Sequence, residues 1–236
     1  MSFSWTGCYL GGFAGGAWGA KNVNVVDAYS NVLGAPSDIW GYSVKSSFIG
    51  GGTAGCNWQP IGTPWVMGLE GEAGYLSLSG SAFDPVFPLG PNIVFASAKI
   101  GNGYGMVTGR LGYAADRVLL YVKGGVAFLD ESVTVAHSAF PNLGIPAATF
   151  SASNNGAHFA IGAGIEWAFA GNWTVKAEYM AIGLENVNSP CGFVTGGPVI
   201  PAGNYCWGHS GLNAVSTFKV GVNYLFGGGA PVVARY

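Results

Sequence analysis

Charge is what this sequence has least of: Asp, Glu, Lys and Arg make up 8% of it, against about 25% in an ordinary soluble domain. Such a chain can bury a great deal but can hardly coat its own outside with charge. Long apolar runs are missing too. Mean hydropathy is +0.36, yet Gly, Ser, Asn or a charge interrupts every window before the roughly 20 apolar residues of a spanning helix accumulate. Neither sign of charge dominates, with 9 Lys and Arg against 11 Asp and Glu, a net charge of -2 and a pI near 5.8. That excludes the basic footprint of a nucleic-acid binder. The 4 cysteines, Cys8, Cys56, Cys191 and Cys206, have no CxxC spacing that would point to zinc and suit an oxidising compartment. Met1 is followed by Ser-Phe-Ser-Trp, with no basic n-region and no apolar h-region, so the chain reads as the mature form of an exported protein behind a start Met. What is abundant is glycine, 41 residues, and aromatic side chains, 14%, which argues against disorder.

The stretch Gly109 to Phe128, GRLGYAADRVLLYVKGGVAF, sets the plan. Leu111 and Tyr113 leave one side, Arg110 and Gly112 the other; after Ala114-Ala115-Asp116-Arg117, Leu120, Val122, Val126 and Phe128 oppose Tyr121, Lys123, Gly125 and Ala127. Period two on both sides of a tight turn is a β-hairpin. Its continuous face is bulky and apolar, whereas the opposite face carries glycines and single charges, the reverse of a soluble sandwich. With helices excluded, a closed barrel is the remaining structure that satisfies every backbone group in a membrane.

The same alternation recurs along the chain. Strands are expected over Trp5–Gly19, Ser43–Trp58, Trp65–Ser77, Lys99–Ala114, Val118–Glu131, His158–Ala170, Trp173–Tyr179 and Leu212–Phe226. Short turns follow Trp58, Ala114 and Ala170. Segments rich in Pro, Gly, Asn and Ser separate the others and read as long loops, about 20–43, 79–98, 132–156 and 187–210. The expected fold is all-β: an eight-stranded antiparallel up-and-down transmembrane barrel over residues 1–226, with long extracellular loops, short periplasmic turns and both termini periplasmic. Trp5, Trp18, Trp58, Trp65, Trp167, Trp173 and Phe226 would supply the interfacial aromatic girdles. Gly227-Gly228-Gly229 frees a tail, 227–236, in which Pro231 breaks any further ladder.

Five segments in combination, WTGCYLGGFAGGAWG, GLEGEAGYL, GRLGYAADRVLLYVKGGVAF, GAGIEWAF and FKVGVNYLFGGG, resemble the small outer-membrane surface antigens of alphaproteobacteria. These are the outer membrane immunogenic or porin-family proteins, built on an OmpA-like eight-stranded barrel. The resemblance covers nearly all expected strands. It implies an abundant surface antigen in the outer membrane of a Gram-negative bacterium, in a family of which some members are associated with haemin binding or small pores. Cys8 and Cys56, where larger apolar residues are the family habit, and the tail beyond Phe226 depart from the pattern.

By parity the strand charges Glu70, Glu72, Arg110, Lys123, Glu166, Lys176, Glu178 and Lys219 all leave the non-lipid face. Four acids and four bases can neutralise one another in a lumen just wide enough for side chains. The catalytic alternative makes Glu70 and Glu72, about 7 Å apart on one strand, an acid/base pair, but no His or Asp clusters beside them in sequence. His137, His158 and His209 map to the extracellular side, where three imidazoles could hold haem iron; exposed loop histidines are the simpler reading. Pairing of the first two strands brings Cys8 beside Cys56, and Cys191 with Cys206 would close the last loop. Gly101-Asn102-Gly103-Tyr104-Gly105 lacks the helix of a nucleotide fingerprint, and Asn172-Trp173-Thr174 sits in a periplasmic turn; neither carries weight. The expected role is a structural barrel and surface antigen supporting envelope integrity, self-associating in the membrane, with no catalysis, no cofactor and no metal. A narrow diffusion pore and a haemin receptor are the alternatives. Outer-membrane lipid and lipopolysaccharide, the barrel assembly machinery, other envelope proteins and copies of the chain are the expected partners.

Overall fold

Strands that alternate small or charged residues with bulky apolar ones can hide the first set only by curling around it, and this chain does so. The computed structural model describes residues 3–19, 22–29, 39–85, 93–139, 141, 146–184, 189–198, 200–211 and 213–227. Its strands are β1 (Gly7–Gly19), β2 (Val23–Val26), β3 (Ile39–Tyr42), β4 (Ser47–Trp58), β5 (Trp65–Leu76), β6 (Leu78–Phe83), β7 (Val94–Ala115), β8 (Val118–His137), β9 (Ala148–Ala170), β10 (Trp173–Gly183), β11 (Cys191–Val194), β12 (Gly203–Cys206), β13 (Gly208–Ser210) and β14 (Ala214–Phe226). The wall runs β1–β4–β5–β7–β8–β9–β10–β14 and returns to β1, antiparallel throughout, with β6 extending β5 along β7. Among the described residues that is a closed barrel of eight staves, as the alternation requires.

Two of the expected loops include long stretches of wall among the described residues. The segment 79–98 contains most of β6 and the start of β7, and 132–156 contains the end of β8 and the start of β9. The physical reason is a change of phase in polarity. Above the membrane-facing band the strands keep period two, but now Val94, Ala96, Ala98, Ile100, Val133, Val135 and Phe150 are buried while Ser79, Lys99, Ser132 and Ser151 face out. A pattern sought as bulky-outside reads there as loop. The other two long connections carry short strands. β13, β2 and β3 form a small sheet, and β11 pairs with β12. β7 also bends where its register slips between Ile100 and Tyr104. Gly101 takes φ 71° there, and a Cβ on it would lie 2.2 Å from the Leu76 carbonyl oxygen, so the bulge requires glycine. The tail beyond Gly227 lies outside the described residues.

The outer band is apolar. Leu69, Leu111, Leu120, Val122, Phe159, Ile161 and Ile165 are exposed on it, bordered by Trp58, Trp65, Trp167, Trp173 and Phe226 at the short-turn end and Trp18, Tyr75 and Tyr179 at the other. Trp5 is not part of a girdle: it is fully buried. The strand starts only at Gly7, and residues before it fold across the short-turn mouth. Phe3 N donates to Asp116 Oδ1 at 3.1 Å, Trp5 N to Gln59 Oε1 at 3.0 Å and the Trp5 indole N–H to the Asp116 carbonyl at 3.1 Å.

Candidate functional site: the sealed lumen

Inward positions hold three stacked layers. At the short-turn end Phe3, Trp5, Val66, Leu119, Ala168 and Leu225 pack as an apolar plug with Tyr9 and Tyr121 above it. At the long-loop end a larger core joins the upper wall to the small sheet, with Val23, Val25, Trp40 and Tyr42 against Leu76, Ile100, Val133 and Trp207. Between them lie the charges. Glu70, Glu72, Arg110, Lys123, Glu166, Lys176, Glu178 and Lys219 are all buried, and every one has an ionic partner.

Lys123 is the centre of this layer. Its Nζ lies 3.0 Å from Glu72 and 2.9 Å from Glu178 and also pairs with Glu70. The three carboxylates bring oxygens within 4.8 Å of one another, a geometry that suits a cation, and the ammonium occupies it. Lys219 bridges Glu72 and Glu178 at 2.6 and 2.8 Å, and Lys176 approaches Glu70 at 3.1 Å. Arg110 Nη2 reaches Glu166 at 2.7 Å, and its Nη1 lies 3.7 Å from Glu70. Its guanidinium carbon stands 4.0 Å from the Tyr121 ring centroid, a stacked cation–π arrangement.

Neutral donors complete the layer. The Tyr9 hydroxyl donates to Glu70 and accepts from Arg110 Nη1, Tyr121 donates to Glu178 at 3.0 Å and Tyr104 to Glu72 at 3.3 Å. Glu166 accepts from Thr174 and from Asn223 Nδ2 at 3.0 Å. Sequence reasoning missed these groups. For Tyr104, Tyr121, Thr174 and Asn223 the signal was the same parity, since they share faces with Arg110, Lys123, Lys176 and Lys219; Tyr9 lies on a strand without charges. With each carboxylate held by cations and hydroxyls, neither Glu70 nor Glu72 stands free as a base.

The three histidines also point inward instead of lying on exposed loops. His137 Nε2 is 2.9 Å from the Tyr29 hydroxyl, His209 Nε2 is 3.1 Å from the Tyr42 hydroxyl, and His158 Nε2 is 3.9 Å from Glu131. Each is buried, and burial holds His137 below its ordinary pKa and pushes His209 down to about 4. Among the described residues they form no common ligand cluster. The causes differ: His137 ends the inverted upper wall, His158 lies on the inward side of β9 beside outward Phe159, and His209 belongs to β13 of the small sheet.

The cysteines form two disulfides. Cys8 and Cys56 are register partners on β1 and β4, and Cys191 and Cys206 are partners on β11 and β12. The first lies on the outer face of the barrel, the second on the last loop.

A closed antiparallel barrel with an apolar band, aromatic borders and neutralised charges inside is a transmembrane β-barrel protein. The chain belongs to the outer membrane protein beta-barrel domain family, whose model matches residues 3–226. It is 32% identical over 193 residues, 79% of this chain and 74% of the relative, to the 31 kDa outer-membrane immunogenic protein of Brucella melitensis, and equally to that of Brucella suis. Among solved structures, the outer membrane protease OmpT of Escherichia coli is similar with a TM-score of 0.52 at 10% identity, covering 96% of this chain and 99% of that one. That likeness is one of fold. The protein is therefore an outer-membrane β-barrel of a Gram-negative bacterium, homologous to immunogenic outer-membrane proteins.

Proposed function

We propose that this protein is a structural barrel and surface antigen that supports the integrity of the outer membrane, self-associating there, with no catalytic role. The observation that carries this reading is the lumen. An eight-stave barrel leaves inward space only for side chains, and here that space holds an apolar plug, a neutral ion layer and an apolar core in series. A diffusion pore needs a continuous polar path, which any one of these layers would interrupt. A haemin receptor using His137, His158 and His209 needs imidazoles that reach solvent, and burial with Tyr29, Tyr42 and Glu131 opposes that. Catalysis by Glu70 and Glu72 needs one free carboxylate, and Lys123 engages both. In this reading the short-turn end faces the periplasm, while the polar upper wall and cap project outward as the antigenic surface.

Deleting the chain from its bacterium tests the role. Detergent sensitivity should rise, and uptake of small hydrophilic solutes should stay unchanged. Slower solute uptake with unaltered detergent resistance would favour the pore.

A further inference from the structure

Outside the barrel, charge is scarce and unevenly placed. Among the described residues the exposed charged side chains are Lys45, Lys99, Asp116, Arg117 and Asp130. Asp116 and Arg117 make the turn between β7 and β8 at the short-turn end. Both exposed lysines of the other end line one hollow of about 330 Å³ on the outer face of the wall.

The register explains why they meet. Lys45 N donates to the Ser79 carbonyl at 3.0 Å, laying the segment before β4 beside β6. Ser79 is the partner of Lys99, and Lys99 of Ser132. One rank further from the membrane, Ser81 pairs with Ser97 and Ser97 with Thr134. Alternate residues of a strand share a face, so the first rank presents ammonium and hydroxyl groups outward and the second hydroxyl groups alone, while Ala98 and Val133 are buried behind them. Asp130 is the one exposed acid of this end among the described residues, and it stands nearer the apolar band, paired in register with Asn155.

Height identifies the occupant. The nearest outward aromatics below the hollow are Tyr75 and Phe128, each half-exposed. Ser79 and Ser132 lie four residues further along, about 13 Å on the strand and about 10 Å in height at a tilt of about 40°. That is above acyl chains and level with headgroups. Two point charges flanked by hydroxyls are donors without acceptors of equal strength, the set that matches a phosphate attached to a sugar. The surroundings of an outer-membrane barrel at this depth are lipid headgroups.

We propose that the hollow between Lys45 and Lys99, with Ser79, Ser97 and Ser132, binds the phosphorylated sugar headgroup of an outer-leaflet glycolipid. Bound lipid at this point ties the upper wall to the leaflet and fixes the depth of the barrel. The proposal is independent of whether the lumen conducts, so a conducting barrel would overturn the sealed-lumen reading and leave this one standing.

The test uses the full chain in detergent micelles containing lipid A with both phosphates, or the same lipid after their enzymatic removal. Native mass spectrometry counts the glycolipid retained. Wild type should retain the phosphorylated form about ten-fold better than the dephosphorylated one. Lys45→Ala with Lys99→Ala should lose about ten-fold of the retained phosphorylated lipid, and Lys45→Arg with Lys99→Arg should keep it. Equal retention of the two lipids by wild type would overturn the proposal without any variant. So would unchanged retention by the double alanine variant, or displacement of the lipid by millimolar inorganic phosphate, which would mark a site for free anions.

Discussion

Arg110 Nη2 lies 2.7 Å from Glu166 Oε2, a bond between β7 and β9 that crosses the lumen past the intervening strand β8. Both side chains are buried in the same layer as Lys123 and its three carboxylates. Removing one member strands its partner, at a cost of roughly 3 to 5 kcal/mol for a buried pair. Arg110→Ala should lower the free energy of unfolding by that order, and Glu166→Gln added to it should recover part of the loss, as coupled neighbours do. Chemical denaturation of the wild type, the two single variants and the double variant supplies the check. Strict additivity would contradict the pairing.

The plug at the short-turn end should matter for stability and not for sealing. Trp5 is fully buried beneath Tyr9 and Tyr121, and truncating a buried aromatic to alanine costs roughly 3 to 5 kcal/mol. Trp5→Ala should therefore unfold earlier in denaturant but remain non-conducting, because the ion layer and the upper core lie above it.

The alternation of the strands made the eight staves legible, and it assigned faces before any partner was known. It could not choose partners across the lumen. Parity says that Arg110 and Glu70 share an interior, but which carboxylate meets the guanidinium depends on strand tilt and on Tyr9, which places its hydroxyl between them. The upper wall was misread for a different reason. Ser132, Thr134 and Ser151 look like loop residues until Val133, Val135 and Phe150 are seen packing inward against the small sheet. His137 belongs to that same wall, whereas His209 lies on β13 of the small sheet and Trp5 precedes the start of β1, where no alternation specifies its direction.

The histidines of the cap give the upper core a pH dependence with a definite sign. His209 is pushed from its ordinary 6.5 down to about 4 by burial, so the folded cap holds it neutral while an unfolded one takes up a proton below about 6.5. The stability it contributes is fully present above pH 6.5 and is lost as pH falls toward 4. His137, lowered by burial against a partly offsetting bond to the Ser138 carbonyl, acts in the same direction. Thermal midpoints recorded from pH 7.5 to 4 should fall across that window, and His209→Gln should flatten the curve.

The disulfides are open to direct chemistry. Peptide mapping without reductant should recover Cys8 joined to Cys56 and Cys191 to Cys206. The second closes a loop with a sequence separation of 15, worth roughly 3 kcal/mol by restriction of the unfolded chain, so Cys191→Ser with Cys206→Ser should loosen the last loop. A peptide joining Cys8 to Cys191 would contradict the register of β1 with β4.

The central claim is that the barrel is closed by its own side chains. Single-channel recording of the purified protein in planar bilayers measures this most directly. The sealed lumen predicts little or no steady conductance in the wild type. A large, stable wild-type conductance would contradict it, place water between Lys123 and its carboxylates, and move the diffusion pore to first place.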